Sequence, residues 1–231
     1  MTVVVVVAIT AFALVAGAAW GAFGHLPPRV EGFIVSAAGG ALIVSLMDEL
    51  IRPATEVLPI WAVCASVAAG SLAFTSADTW LDRRLAGAGG LGLLLAVTFD
   101  GVPENLALGT ALIGSGPLQV AALAGSIFLS NLPEAAGGAR QMRKDGYRRR
   151  NIVLIWTAVA ILLSAAAIGG YAFLDTAPRG TTDAIRCVAA GAVLSSLATE
   201  VFPKADDEEH NVTGIAVATG LILALLLSSL G

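Results

Sequence analysis

Eight apolar runs, each about the length of a bilayer crossing, take up most of this 231-residue chain. They cover residues 2–23, 32–51, 57–79, 91–113, 118–138, 152–173, 182–202 and 212–230. A helix rises about 1.5 Å per residue and the hydrocarbon layer is about 30 Å thick, so about 20 apolar residues make one span. The chain is 57% hydrophobic and only 13% charged, against about 25% charged residues in soluble domains. No soluble core of this length could bury so much apolar surface. The expectation is an all-α integral membrane protein, a single domain of eight transmembrane helices over residues 1–231. The first run has no Lys or Arg before it and is longer than a signal-peptide apolar region, so it reads as a retained helix.

Charge gives the expected orientation. Odd-numbered loops hold Arg29, Arg83, Arg84, Lys204 and the basic stretch RQMRKDGYRRR, whereas even-numbered loops hold Arg52, Arg179 and Arg186. Basic loops stay in the cytoplasm, which puts both termini on the non-cytoplasmic side, as in a bacterial-type inner membrane. The net charge of −4 provides no basic surface for nucleic acid. Cys64 and Cys187 both fall in apolar runs and read as packing residues. Trp20, Trp61 and Trp80 stand near span ends, where interfacial aromatics gather.

Six acids, Asp48, Glu49, Asp100, Glu104, Glu134 and Glu200, fall two or more residues inside the ends of the runs. Each costs at least about 2.5 kcal/mol near the bilayer centre. With Arg186 assigned to the loop before the seventh span, no basic partner is expected at depth. Such acids either hold protons or receive a cation from solution.

Their spacing narrows the chemistry. In TFDGVPENLALG, Asp100 and Glu104 are four apart and share a helix face; in FLSNLPEAAGG, Ser130, Asn131 and Glu134 repeat that arrangement. A proline precedes each glutamate, Pro103 and Pro133, and removes a backbone donor, which frees the carbonyls of Phe99 and Leu129. Two such helices facing one another would gather a shell of hard oxygen ligands. A second internal similarity relates GGALIVSLMDELI, residues 39–51, to AGAVLSSLATEVF, residues 190–202, with Ser45 and Ser196, and Glu49 and Glu200, at matching positions. The loop charges make these two spans run in opposite directions, as transporter inverted repeats do. Glu49 then stands near the outer side, Asp100, Glu104 and Glu134 near mid-depth, and Glu200 near the cytoplasm, an order that suits a transport pathway for cations.

These motifs resemble the ZIP (Zrt/Irt-like) family of metal-ion transporters, whose fourth and fifth helices carry paired Pro-Glu motifs. The resemblance implies eight helices in a 3+2+3 inverted-repeat arrangement, with helices four and five forming a central metal site. It assigns Glu104 and Glu134 to the motif glutamates, Asp100 to the position of the usual histidine, and Ser130 and Asn131 to the polar ligand positions of helix five. Gly101 replaces a common Asn ligand and span six offers no acid, so the family's second, adjoining site is expected to be incomplete. Zinc is favoured by the resemblance. The all-oxygen ligand set favours manganese or ferrous iron.

Other readings stay open. The same acids could titrate without metal in a proton-coupled carrier or channel, or hydrogen-bond inside a structural bundle. An intramembrane enzyme is disfavoured because no His lies in any run, and no resident cofactor is expected beyond the transported ion. The expected partners are divalent metal ions and membrane lipids. Gly17 and Gly21 form a GxxxG, which signals close helix packing and leaves a homodimer open. His25, and His210 after the acidic run Asp206, Asp207, Glu208 and Glu209, read as loop residues.

Overall fold

The computed structural model describes residues 2–24, 27–85, 89–113, 120–209 and 212–229. His25 and His210 lie outside the described residues. Among those described the chain is helix and turn, with no strand. The helices are α1 (Thr2–Phe23), α2 (Pro28–Leu46), α3 (Arg52–Val57), α4 (Ile60–Leu85), α5 (Gly89–Ala111), α6 (Ala121–Lys144), α7 (Arg149–Leu174), α8 (Arg179–Ser196), α9 (Phe202–Glu209) and α10 (Thr213–Ser228). Two π turns, Met47–Ile51 and Leu197–Val201, join α2 to α3 and α8 to α9 without a break in the helix.

Proline explains the π turns. Pro53 and Pro203 each stand two residues beyond the turn. A proline has no N–H, and its ring pushes against the carbonyl four residues back, so the preceding turn widens. Arg52 N–H accordingly bonds the Met47 carbonyl, and Phe202 N–H the Leu197 carbonyl, five residues back in each case. Pro103 and Pro133 sit inside unbroken α-helix instead.

Among the described residues six helical segments are long and apolar enough to cross a membrane: Val3–Phe23, Arg29–Val57, Ile60–Leu81, Gly89–Ala111, Arg149–Leu174 and Arg179–Asp207. Two expected spans differ. The helix at residues 212–230 is the shorter Thr213–Ser228, and the one at 118–138 is α6, which is too polar to qualify. Position explains α6. It packs against α1, α2 and α5, so most of its side chains meet protein and few need to be apolar enough for lipid.

Glycine sets these contacts. A Cβ on Gly17 or Gly21 would strike the backbone carbonyls of Leu132 or Ala136 on α6. The GxxxG of α1 is therefore used inside the chain. Two further interfaces are reciprocal: Gly40 of α2 sits on Val217 of α10 while Gly220 of α10 sits on Ala37 of α2, and Gly191 of α8 sits on Val67 of α4 while Gly70 of α4 sits on Val188 of α8.

The central helices α5 and α6 are antiparallel. The Gly90 N–H at the start of α5 donates to Asp145 Oδ2 just past the end of α6, at 2.5 Å. Twenty residues further along α5, about 30 Å by helical rise, Thr110 marks the opposite end of the bundle. Large apolar side chains cover much of the outside, among them Phe12, Trp61, Leu72, Ile161 and Phe173. Cys187 packs in the interior as expected, but Cys64 is exposed, because it lies on the outer face of α4 beside Trp61.

Candidate cation site

α5 and α6 bring three of the five expected ligands within electrostatic reach of one another. Asp100 lies within electrostatic reach of Glu134, and Glu104 within reach of both Glu134 and Asp100. Glu104 is only 5% exposed. The four-residue spacing puts Asp100 and Glu104 on one face of α5, and the tight α5–α6 packing presents Glu134 to them. Counted along the helix from Gly90, Asp100 sits about 15 Å in, midway between the two ends of the bundle.

The two remaining expected ligands lie on α6. Ser130 is buried, and its hydroxyl donates to the Ile127 carbonyl at 3.1 Å, so its lone pairs alone are left for another group. Asn131 is 2% exposed and its Nδ2 has no hydrogen-bond partner. A buried amide donor without a partner costs about 1–3 kcal/mol, which makes Asn131 a place where a water or an oxygen-bearing ligand would be held. Asn105, next to Glu104, is closed off by a bond from its Nδ2 to the Gly101 carbonyl at 2.8 Å.

The two pathway acids separate. Glu200, on the second π turn, reaches the Asp100 carboxyl. Glu49, on the first, lies beside Asp48 and Arg186. Asp48 turns to the periphery, where it pairs with Arg52 at 3.1 Å and accepts a bond from Ser228 at 2.8 Å.

Several further residues stand at the site without having been expected there. Asp78 of α4, 8% exposed, faces Asp100, and the Phe74 and Phe99 rings, 5.1 Å apart, hold α4 against α5 at this level. Ser196 also lies beside Asp100; its fully buried hydroxyl makes no hydrogen bond of standard geometry. Glu31 and Lys204 lie near Glu134. Their signals in the sequence are weak: Asp78, Glu31 and Lys204 stand at span edges, and Ser196 shows only as an identity between the two similar stretches.

Arg186 is a correction. The loop count sets it before the seventh span although the run 182–202 contains it; it lies within α8, 9% exposed, and so places a cation inside the bundle. The placement is tolerated because Asp183, three residues earlier on the same helix, accepts its Nη1 at 3.1 Å. A buried charge persists when it is paired and hydrogen-bonded.

The interior around α5 and α6 is thus rich in carboxylate and amide oxygen. Hard oxygen donors of this kind suit divalent cations and protons alike. Among the described residues no three His, Cys, Asp or Glu side chains are close enough to share a metal ion. Asp100, Glu104 and Glu134 are neighbours that do not form a closed shell. Comparison with known proteins finds no family model that matches the chain and no curated relative.

Proposed function

We propose that the protein carries divalent metal cations across a membrane, with Asp100, Glu104 and Glu134 receiving the ion and Ser130 and Asn131 completing its oxygen shell. The observation that carries this reading is that three carboxylates from two proline-bearing helices lie within electrostatic reach of one another, in the middle of a bundle whose outer surface is apolar. Acids at such depth are functional by default. Asp78 and Glu200 extend the acidic track away from α5, and Glu49 stands apart from it towards Arg186.

The ZIP-like reading has further support. Prolines 27 and 178 cap α2 and α8 in extended conformation, both helices carry a π turn, and the glycine contacts of α2 with α10 mirror those of α8 with α4. α2 begins beside the end of α6 while α8 begins beside the end of α5, so the two run in opposite senses. These features support an inverted-repeat reading, which suits alternating access around a central site. Zinc follows from the family resemblance, manganese or ferrous iron from the ligand chemistry.

Uptake of zinc, manganese and ferrous iron into proteoliposomes tests the reading. Flux of at least one ion is expected, and loss of that flux in Glu104→Gln and Glu134→Gln proteins that still fold. Absence of flux for all three ions sinks it.

A second reading, a carrier or channel whose acids exchange protons, is favoured by the lack, among the described residues, of any three carboxylates near enough to share one ion. Proton flux in metal-free proteoliposomes, lost in the same variants, would select it.

A further inference from the structure

Two arginine clusters, each built on a buried acid, stand at opposite ends of the central helices. At the end that carries RQMRKDGYRRR, Arg140 of α6 meets Glu31 of α2, Nη2 to Oε2 at 2.9 Å. Glu31 is 2% exposed, and its carboxylate lies so close over Gly137 that a Cβ there would strike it. The contact is ionic, since neither Glu31 oxygen receives a hydrogen bond of standard geometry. At the other end, Arg186 of α8 donates from Nη2 to the Thr110 carbonyl at 2.6 Å and to the Ile113 carbonyl at 3.0 Å, from Nε to Thr110 at 3.2 Å, and from Nη1 to Asp183 at 3.1 Å. It thereby caps the C-terminus of α5, where free carbonyls and the helix dipole favour a cation.

The clusters match one another. Each ties one central helix to a helix of the flanking repeat, α6 to α2 or α5 to α8. Each uses a buried acid from the first turn or so after a proline cap, Glu31 after Pro27 and Asp183 after Pro178. Arg140 lies six residues past Glu134 and Thr110 six past Glu104, about 9 Å in each case. Each cluster also neighbours an acid of the proposed route, Glu31 beside Glu134 and Arg186 beside Glu49.

We propose that Glu31–Arg140 and Asp183–Arg186–Thr110 are the two gates of the carrier, closed alternately so that the central helices part from one flanking repeat at a time. This rests on the alternating-access reading above. A guanidinium held at each mouth also repels a cation until its cluster opens, which couples passage to the movement. An arginine suits the task because its planar fork bonds several acceptors at once and keeps its charge when buried.

The test is hydrogen–deuterium exchange on the full chain in lipid nanodiscs, without added metal. Arg140→Gln is expected to raise amide exchange severalfold at the start of α2 and the end of α6, and to lower it at the end of α5 and the start of α8. Arg186→Lys, which keeps the charge but loses the fork, is expected to give the mirror image. The exchanged pair Glu31→Arg with Arg140→Glu should restore the wild-type pattern. Loosening confined to the altered end, or spread to both ends, overturns the proposal, because a merely structural clamp behaves that way. A further arm avoids destabilised proteins: Glu31→Cys and Arg140→Cys in a Cys64→Ser background, joined by a short bifunctional maleimide. Holding that end shut is expected to raise exchange at the Arg186 end; unchanged exchange there overturns the proposal. Reciprocal exchange without ion flux would keep the gates and remove the metal cargo, so the two readings fail separately.

Discussion

α4 and α6 are nearly equal in length, 26 and 24 residues, yet they divide their side chains in opposite ways. In the apolar window of α4 only 17% of residues are buried; Trp61, Leu72 and Trp80 point outward, and Phe74 and Asp78 point in. α6 is enclosed by three helices and buries Ser126, Ser130 and Asn131. The difference teaches that hydropathy in such a bundle measures contact with lipid rather than depth. A helix surrounded by protein can be polar along its length, and a functional site needs such a helix. Polar oxygen-bearing side chains cannot face hydrocarbon, so a helix that carries many of them, as α6 does, is one that hydropathy is poorly able to recognise.

Substitutions on the two helices should separate accordingly. The largest effect is expected for Glu134→Gln on α6: ion flux in proteoliposomes is lost while thermal unfolding in detergent stays close to wild type. A comparable loss of flux from a change on the outer face of α4 would break the comparison. Arg186→Met, which leaves Asp183 buried without its partner and strips the end of α5, should cost about 3–5 kcal/mol of stability in a denaturant titration. Gly21→Val drives a side chain into the Ala136 carbonyl of α6 and should cost about 1–3 kcal/mol by the same measurement. The smallest effect belongs to Leu72→Ala on the outer face of α4, 68% exposed. It should change stability by less than about 0.5 kcal/mol; a larger loss would mean that this face packs against protein.

Much of the helical plan was legible because lipid imposes it. The first run, residues 2–23, coincides with α1, and the fourth and sixth fall within about two or three residues of α5 and α7. Asp100, Glu104 and Glu134 could be found because a charge inside an apolar run is costly and stands out against its neighbours. What escaped detection lay at edges and interiors. Arg186 reads as a loop residue when only charge is consulted, since nothing local announces that Thr110 and Ile113, more than seventy residues away, offer it carbonyls. Glu31 stands one residue before its run and Asp78 one residue inside the end of its own, where hydropathy cannot separate span from loop. The polar character of α6 was visible, but its enclosure depends on which helices pack around it, and tertiary contact decides that.

The π turns carry one more consequence. Gly40 and Gly191, Ser45 and Ser196, and Glu49 and Glu200 all match at a spacing of 151 residues, whereas Pro53 and Pro203 are 150 apart. The two π turns, Met47–Ile51 and Leu197–Val201, are equal in length and also start 150 apart, so Glu49 is the third residue of its turn and Glu200 the fourth of its own. Glu49 stands four residues before its proline and Glu200 three before its own. One residue is about 100° of rotation around a helix. The two otherwise matching carboxylates accordingly have different neighbours, Asp100 for Glu200 and Arg186 for Glu49. A difference of one residue in spacing, with no change of side chain, is enough to place two like carboxylates in chemically unlike surroundings.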